Sequence, residues 1–168
     1  SMSPALLESL AKLALETGLE LPVRRIFTGG APVGPDLIRL IQKAAPKAEI
    51  LVFYGSTEAE PIAHIEGNQM IDWVDNEPGF SEMEGVCVGI LSDQVDMVLV
   101  PMTKSPISLS ETEKVRDRAV DSGRVGEVVV AGDHVCVGYY KNDSAFTENK
   151  IQEGQRVWHR TGDLGRMD

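Results

Sequence analysis

The chain has 168 residues, 42% hydrophobic and 25% charged, which suits an ordinary globular protein of one domain or two small ones. Its 26 acidic against 16 basic side chains give a formal net charge of −10, which argues against general nucleic-acid binding but leaves room for a small anion held by a local loop and Mg²⁺. No apolar run reaches the length of a membrane span and no basic-then-apolar leader opens the chain; Cys87 and Cys136 are too few for a disulfide framework, so a reducing cytoplasm is the expected setting.

Ser1-Met2 reads as a tag remnant, and Ser3-Pro4 as a helix start. Leu6, Leu10, Leu13 and Ala14 then fall on one helical face, and Gly18 ends the run. Val23 to Thr28 is expected as a strand, Gly29 to Gly34 as a loop, and a second helix begins near Pro35 with Leu37, Leu40, Ile41 and Ala44 on its buried face. Pro46 stops that helix, and Glu49 to Phe53 is the next strand. This helix–strand–helix–strand order predicts parallel strands with right-handed crossovers over residues 3–65, an α/β arrangement of parallel βα units.

Residues 66–168 differ in character. "GNQMIDWVDNEPGFSEMEG" reads as a long connection. Short strands are expected at Val95–Val100, Gly126–Ala131, Val135–Tyr139 and Arg156–Arg160, together forming a small antiparallel β-barrel. "TKSPISLSETEKVRDRAVDSG" is a polar excursion expected to be exposed. His134-Val135-Cys136 is a poor metal signal, which strand alternation explains better. The end at "TGDLGRMD", just after a turn and without a cap, reads as a cut chain.

In a parallel α/β sheet, ligands bind beyond the carboxyl ends of the strands. Two loops lie there: "TGGAPVG" and "YGSTE". Gly29 and Gly30 suit either a tight strand-to-helix turn, the plainer reading, or close approach to a planar ligand or a phosphate. The segment lacks the Walker spacing. In Tyr54–Glu58, the tyrosine offers a face for a purine and Gly55 a turn beneath it. Thr57 offers a hydroxyl for a phosphate oxygen and Glu58 a hard carboxylate for Mg²⁺. The same residues equally suit a turn and helix cap with Ser56 or Thr57 as the cap. Asp163, beside Gly162, fits the two hydroxyls of a ribose or a simple Asp turn.

"TGGAPV", "YGSTE", "GEVVVAGDHVCVGYYKN" and "WHRTGDLGR" stand in the order found in the AMP-forming synthetase family, which the chain resembles from about Arg24 to Arg166. That family includes acyl-CoA synthetases, fatty-acyl-AMP ligases, peptide-synthetase adenylation domains and firefly luciferase. The resemblance implies that Gly30, Ala31 and Pro32 wall an adenine slot, Tyr54 stacks on the ring above Gly55, and Thr57 meets the α-phosphate. Glu58 would ligate Mg²⁺, and Asp163 would hold the ribose. It implies ATP and Mg²⁺ as cofactors and a carboxylate attacking the α-phosphorus to give acyl-adenylate and pyrophosphate. A thiol of coenzyme A or a carrier protein then accepts the acyl group. Thr57 and Glu58 would be the residues closest to the chemistry.

The departures from that pattern are specific. No Gly-rich loop ending in Pro-Lys is present, and the chain stops before the family's hinge and its C-terminal domain with the catalytic lysine. Neither Lys141 nor Lys150 stands in a matching motif, and Phe53 replaces a residue that is often small or polar. The expected object is the latter part of a large N-terminal domain, inactive alone and prone to self-association through unpaired strand edges and the helix faces of Leu6, Leu10, Leu37 and Ile41. The surroundings of Ala59 to Ile62 lean toward a fatty or other apolar acid. The competing readings are a non-catalytic adenine-nucleotide module and a plain interaction domain whose loops are only turns.

Overall fold

The computed structural model describes residues 1–76 and 85–167. The chain forms two compact units, Ser1–Gly55 with Pro61–Ser92, and Ser56–Glu60 with the chain from Asp93 onward. The division in compactness thus lies near residue 92, whereas the change of sequence character lies near residue 65.

In the first unit, helix α1 (Pro4–Thr17) begins with proline in its first turn, where the missing N–H costs nothing. It ends at Gly18, whose φ of 67° lets its N–H bond back to the Ala14 and Leu15 carbonyls. The buried stripe is Leu7, Ala11 and Ala14, and not the leucines expected from the periodicity: Leu6 and Leu13 are 58% and 55% exposed. Small residues at 11 and 14 allow close approach of the packed neighbour, helix α2 (Pro35–Ala44), and that outweighs the greater hydrophobicity of the leucine face. Ile41 and Ala44 of α2 are fully buried as the sequence predicts, so Ile41 offers no exposed face for self-association; Ile38, not expected there, is fully buried as well, and Leu37 and Leu40 pack only at the margin.

Strand β1 (Arg25–Gly29) pairs in parallel with β2 (Glu49–Ser56), Ile26 opposite Ile50 and Thr28 opposite Val52. These four side chains are buried, so the shared face of the two strands belongs to the core. β2 runs three residues beyond its expected end, and only Thr57 and Glu58 separate it from β3 (Ala59–Glu66). No helix follows Glu58, so Ser56 and Thr57 are not helix caps. β3 pairs antiparallel with the short β4 (Ile90–Leu91), giving a sheet of order β1-β2-β3-β4. The expected connection after residue 66 begins instead as helix α3 (Gly67–Asn76), which buries Met70 and packs against α2; the part at 77–84 lies outside the described residues.

The second unit carries the strands β5 (Asp96–Val100), β6 (Gly126–Ala131), β7 (Lys150–Glu153) and β8 (Arg156–Gly165) in one antiparallel sheet of order β5-β6-β8-β7. β5 and β7 end this order unpaired with each other, so the expected barrel is an open sheet. Val135–Tyr139, the segment expected as a further strand, is irregular. The Cys136 N–H is spent on the Glu58 carbonyl at 2.7 Å and is not available to a ladder. A short helix, α4 (Asp143–Asn149), capped by Asn142, leads into β7; neither element was evident from the sequence. The polar excursion at 103–123 is not wholly exposed, since Ile107 and Val115 enter the core around Val98, Val129, Ile151 and Trp158.

Candidate functional site

The expected adenine loop lies in the first unit. Gly29 and Gly30 do different things there. A Cβ on Gly29 would stand 2.4 Å from the Phe53 carbonyl oxygen, so this glycine exists for the close pairing of β1 with β2. Gly30 has a φ of 75° and open space around its Cα, the left-handed turn that swings the chain toward α2. Ala31 and Pro32 are exposed beside it. Tyr54 and Gly55 are half-buried in the last turns of β2. Strand alternation puts Tyr54 on the opposite face from Phe53, which lies in an aromatic row between Phe27, at 5.9 Å, and His64, at 6.0 Å.

Thr57, Glu58 and Asp163 lie in the second unit. Thr57 is exposed and Glu58 half-buried. The Tyr139 hydroxyl donates to Glu58 Oε1 at 3.1 Å. Burial alone would raise the Glu58 pKa, but its own backbone N–H, the Tyr139 hydroxyl and the nearby His159 outweigh that, and the carboxyl is held below the usual glutamate range. The Ser56 hydroxyl adds the smallest pull. Glu58 is therefore a carboxylate at neutral pH.

Around it stand residues that the sequence reading left unassigned. Tyr139 is pushed up to about 12, by burial first and then by the Glu58 carboxylate. Lys150, only 3% exposed, donates to the Cys136 carbonyl, and its Nζ lies 5.2 Å from the centre of the Tyr139 ring. Burial lowers its pKa, with Cys136 and Glu58 opposing. His159, also buried, donates from Nδ1 to the Asn149 carbonyl at 3.3 Å, and burial together with the Lys150 charge lowers its pKa. The available signal was weak: Lys150 stands before the lone apolar Ile151 in "NKIQ", and His159 follows Val157 and Trp158 in "VWHR".

Asp163 is exposed on a bulge of β8. From Arg160 to Leu164, β8 takes four steps while β6 takes two, from Val129 to Glu127. Thr161 donates to the Val128 carbonyl and accepts from the Asp163 N–H, and Gly162 turns with a φ of 78°. Such a bulge re-aims side chains out of the ladder. Beneath it, Arg160 binds Glu127 in a bidentate pair at 3.0 and 2.7 Å and also donates to the carbonyls of Thr103, Ser105 and Glu148.

Among the described residues no three His, Cys, Asp or Glu side chains gather into a metal cage. Glu58 offers one ionised carboxylate, which is compatible with an ion that takes one or two protein carboxylates and completes its shell with substrate phosphates and water. Two clefts of about 430 and 480 Å³ open beside residues 109–114 and beside residues 100–107, and neither is lined by Glu58, Tyr139 or Asp163. The candidate site rests on its side-chain chemistry and not on concavity. No helix among the described residues is long and apolar enough to cross a membrane.

Residues 1–140 match the family model described as AMP-binding enzyme. The chain is 34% identical to the olefin beta-lactone synthetase of Stenotrophomonas maltophilia over 99% of its own length and 29% of that protein. It is 27% identical to a 4-coumarate–CoA ligase of Humulus lupulus, covering 87% of this chain and 23% of that one. The chain thus spans less than a third of the curated relatives it matches. Its fold matches the crystal structure of VinN with a TM-score of 0.70 at 20% identity, covering 99% of this chain and 36% of that one. It also matches the Vibrio cholerae adenylation domain AlmE, solved with glycyl-adenosine-5′-phosphate, with a TM-score of 0.62 at 20% identity, covering 94% and 27%.

Proposed function

The chain belongs to the AMP-binding enzyme family, and from that we propose that the protein containing it activates a carboxylic acid with ATP. A carboxylate oxygen attacks the α-phosphorus, the bond to the β-phosphate oxygen breaks, and acyl-adenylate and pyrophosphate result. The observation that carries this reading is Glu58: a carboxylate kept ionised and fixed by Tyr139 within the "YGSTE" segment. Bound Mg²⁺ would supply charge stabilisation on the phosphoryl oxygens. Glu58 would hold the ion, Thr57 would donate to the α-phosphate, and Tyr54, with Gly55 giving backbone access, would stack on adenine. Gly30, Ala31 and Pro32 would wall the adenine slot, and Asp163 would accept both ribose hydroxyls from its bulge. The chemistry is positioning plus preorganised charge.

The acceptor of the acyl group has two readings. A thiol of coenzyme A or of a carrier protein is supported by likeness to a CoA ligase. Internal capture is supported by the higher identity to olefin beta-lactone synthetases. A β-lactone is the inner ester of a β-hydroxy acid: the β-hydroxyl oxygen would attack the acyl carbonyl, lose its proton, and expel AMP. The aromatic row of Phe27 and Phe53 supports an apolar acid, and the two free thiols support a cytoplasmic setting.

Pyrophosphate exchange by the full-length protein, with fatty acids and β-hydroxy fatty acids, tests the activation step. Exchange with neither class overturns it. Product analysis with and without coenzyme A separates the acceptors: a thioester supports the first reading, and lactone formed without thiol supports the second. The 168-residue chain by itself is expected to show no exchange above a Thr57→Ala control.

A further inference from the structure

We propose that Tyr139 is a positioning residue for the Glu58 carboxylate, and that the segment Val135–Tyr139, tied down by Lys150, is the clamp that fixes it. This rests on Glu58 being the metal-facing carboxylate. A glutamate in a two-residue link between strands has a long side chain with three free torsions, and a ligand group so placed would spend most of its time misaligned. Here it is gripped twice by one short segment. The Cys136 N–H holds the Glu58 backbone carbonyl at 2.7 Å, and the Tyr139 hydroxyl holds Oε1 at 3.1 Å, which leaves Oε2 outside that bond. The segment is anchored in turn from β7, where Lys150 donates to the Cys136 carbonyl and lies under the Tyr139 ring.

Stability alone does not account for this arrangement. Lys150 is 3% exposed, and its ammonium is given one carbonyl acceptor and an aromatic face, a costly way to fill space that a methionine would fill without penalty. What the charge does achieve is to fix both the carbonyl and the ring of the residues that grip Glu58. The four residues form a chain of contacts, Lys150 to Cys136 and Tyr139 and from both to Glu58, linking positions far apart in sequence. Outer partners of a metal-binding carboxylate act in this way, orienting the ligand without touching the metal.

The test uses the full-length protein with Glu58→Gln, Tyr139→Phe and the double variant. Two quantities are read: the Mg²⁺ concentration at half-maximal pyrophosphate exchange, and Mn²⁺ binding by electron paramagnetic resonance with a non-hydrolysable ATP analogue. Tyr139→Phe, which removes one hydroxyl and keeps the ring over Lys150, should weaken both by about tenfold while leaving the KM for the acid unchanged. In the Glu58→Gln background the same change should have no further effect, because its route to the metal is already lost. Lys150→Met should shift both quantities the same way by a smaller factor, with the folded protein as resistant to heat as before. Wild-type or tighter Mn²⁺ binding by Tyr139→Phe, or losses that add in the double variant, would overturn the proposal. Wild-type Mn²⁺ binding by Glu58→Gln would instead remove the metal assignment itself, and the clamp with it.

Discussion

The two units solve the problem of a buried interior in opposite ways. The first is filled by Leu7, Ile26, Ile38, Ile41, Ile50 and Val52, and its one buried polar side chain, Thr28, has a hydroxyl with no partner among the described residues. The second buries the ionisable side chains Glu127, Lys150, His159 and Arg160 and gives each a partner, while the buried Trp158 indole N–H and Ser56 hydroxyl have no hydrogen-bond partner among the described residues. An apolar core is forgiving, because any well-shaped hydrophobic side chain serves; a paired polar core is unforgiving, because each group depends on one particular neighbour. The carboxylate proposed to face the metal stands in the second kind of environment, where orientation is fixed by specific bonds.

The sharpest way to break this contrast is Arg160→Ala. It strands Glu127 and three carbonyls, and should cost about 3–5 kcal/mol. Adding Glu127→Leu should restore only part of the loss, since the carbonyls remain unserved. Ile41→Ala in the first unit should cost about 2–5 kcal/mol by leaving a cavity. Trp73 in α3 and Trp158 in β8 report the two units separately. In single-tryptophan variants, Arg160→Ala should lower the unfolding midpoint more at Trp158 and Ile41→Ala more at Trp73. Equal shifts at both would mean that the halves melt as one.

The acid limb of stability should also belong to the second unit. His159 has its pKa lowered from 6.5 in the folded state, so below pH 6.5 the unfolded chain takes up a proton that the folded chain refuses. Stability is complete above that pH and falls as pH drops toward the folded value, by no more than about 1.4 kcal/mol per pH unit. Urea titrations between pH 7.5 and 5 should show this slope, and His159→Gln should flatten it.

Smaller effects sharpen the comparison further. Thr28→Val should stabilise by about 1 kcal/mol, because it removes an unpartnered buried hydroxyl without changing shape. Lys150→Met should change stability by less than about 1 kcal/mol or raise it. A large loss in thermal melts would mean that Lys150 serves the fold and not the clamp.

The elements with local signatures were legible: the proline starts of α1 and α2, the paired strands β1 and β2, and the valine-rich β6. So were the segments in which Tyr54, Thr57, Glu58 and Asp163 stand, because short motifs in fixed order survive as text. Three features were not legible. The α1 face was misjudged because packing distance favoured alanine over leucine. The expected barrel is an open sheet because β5 and β7 do not pair, and Val135–Tyr139, whose Cys136 N–H bonds to Glu58, adds no strand. Helix α3 opens a segment whose turn residues made the whole read as a connection, and α4 is only seven residues long with no buried residue.

By itself the sequence determined that β2 ends in tyrosine, glycine and serine and is followed by Thr57 and Glu58, because residue type and spacing along the chain are enough to offer those groups. Only the tertiary structure decided which groups hold them. Tyr139 reaches Glu58 across 81 positions, and Arg160 reaches Glu127 across 33. No periodicity encodes such pairs: the identity of a hydrogen-bond partner depends on where the folded sheet brings the chain back.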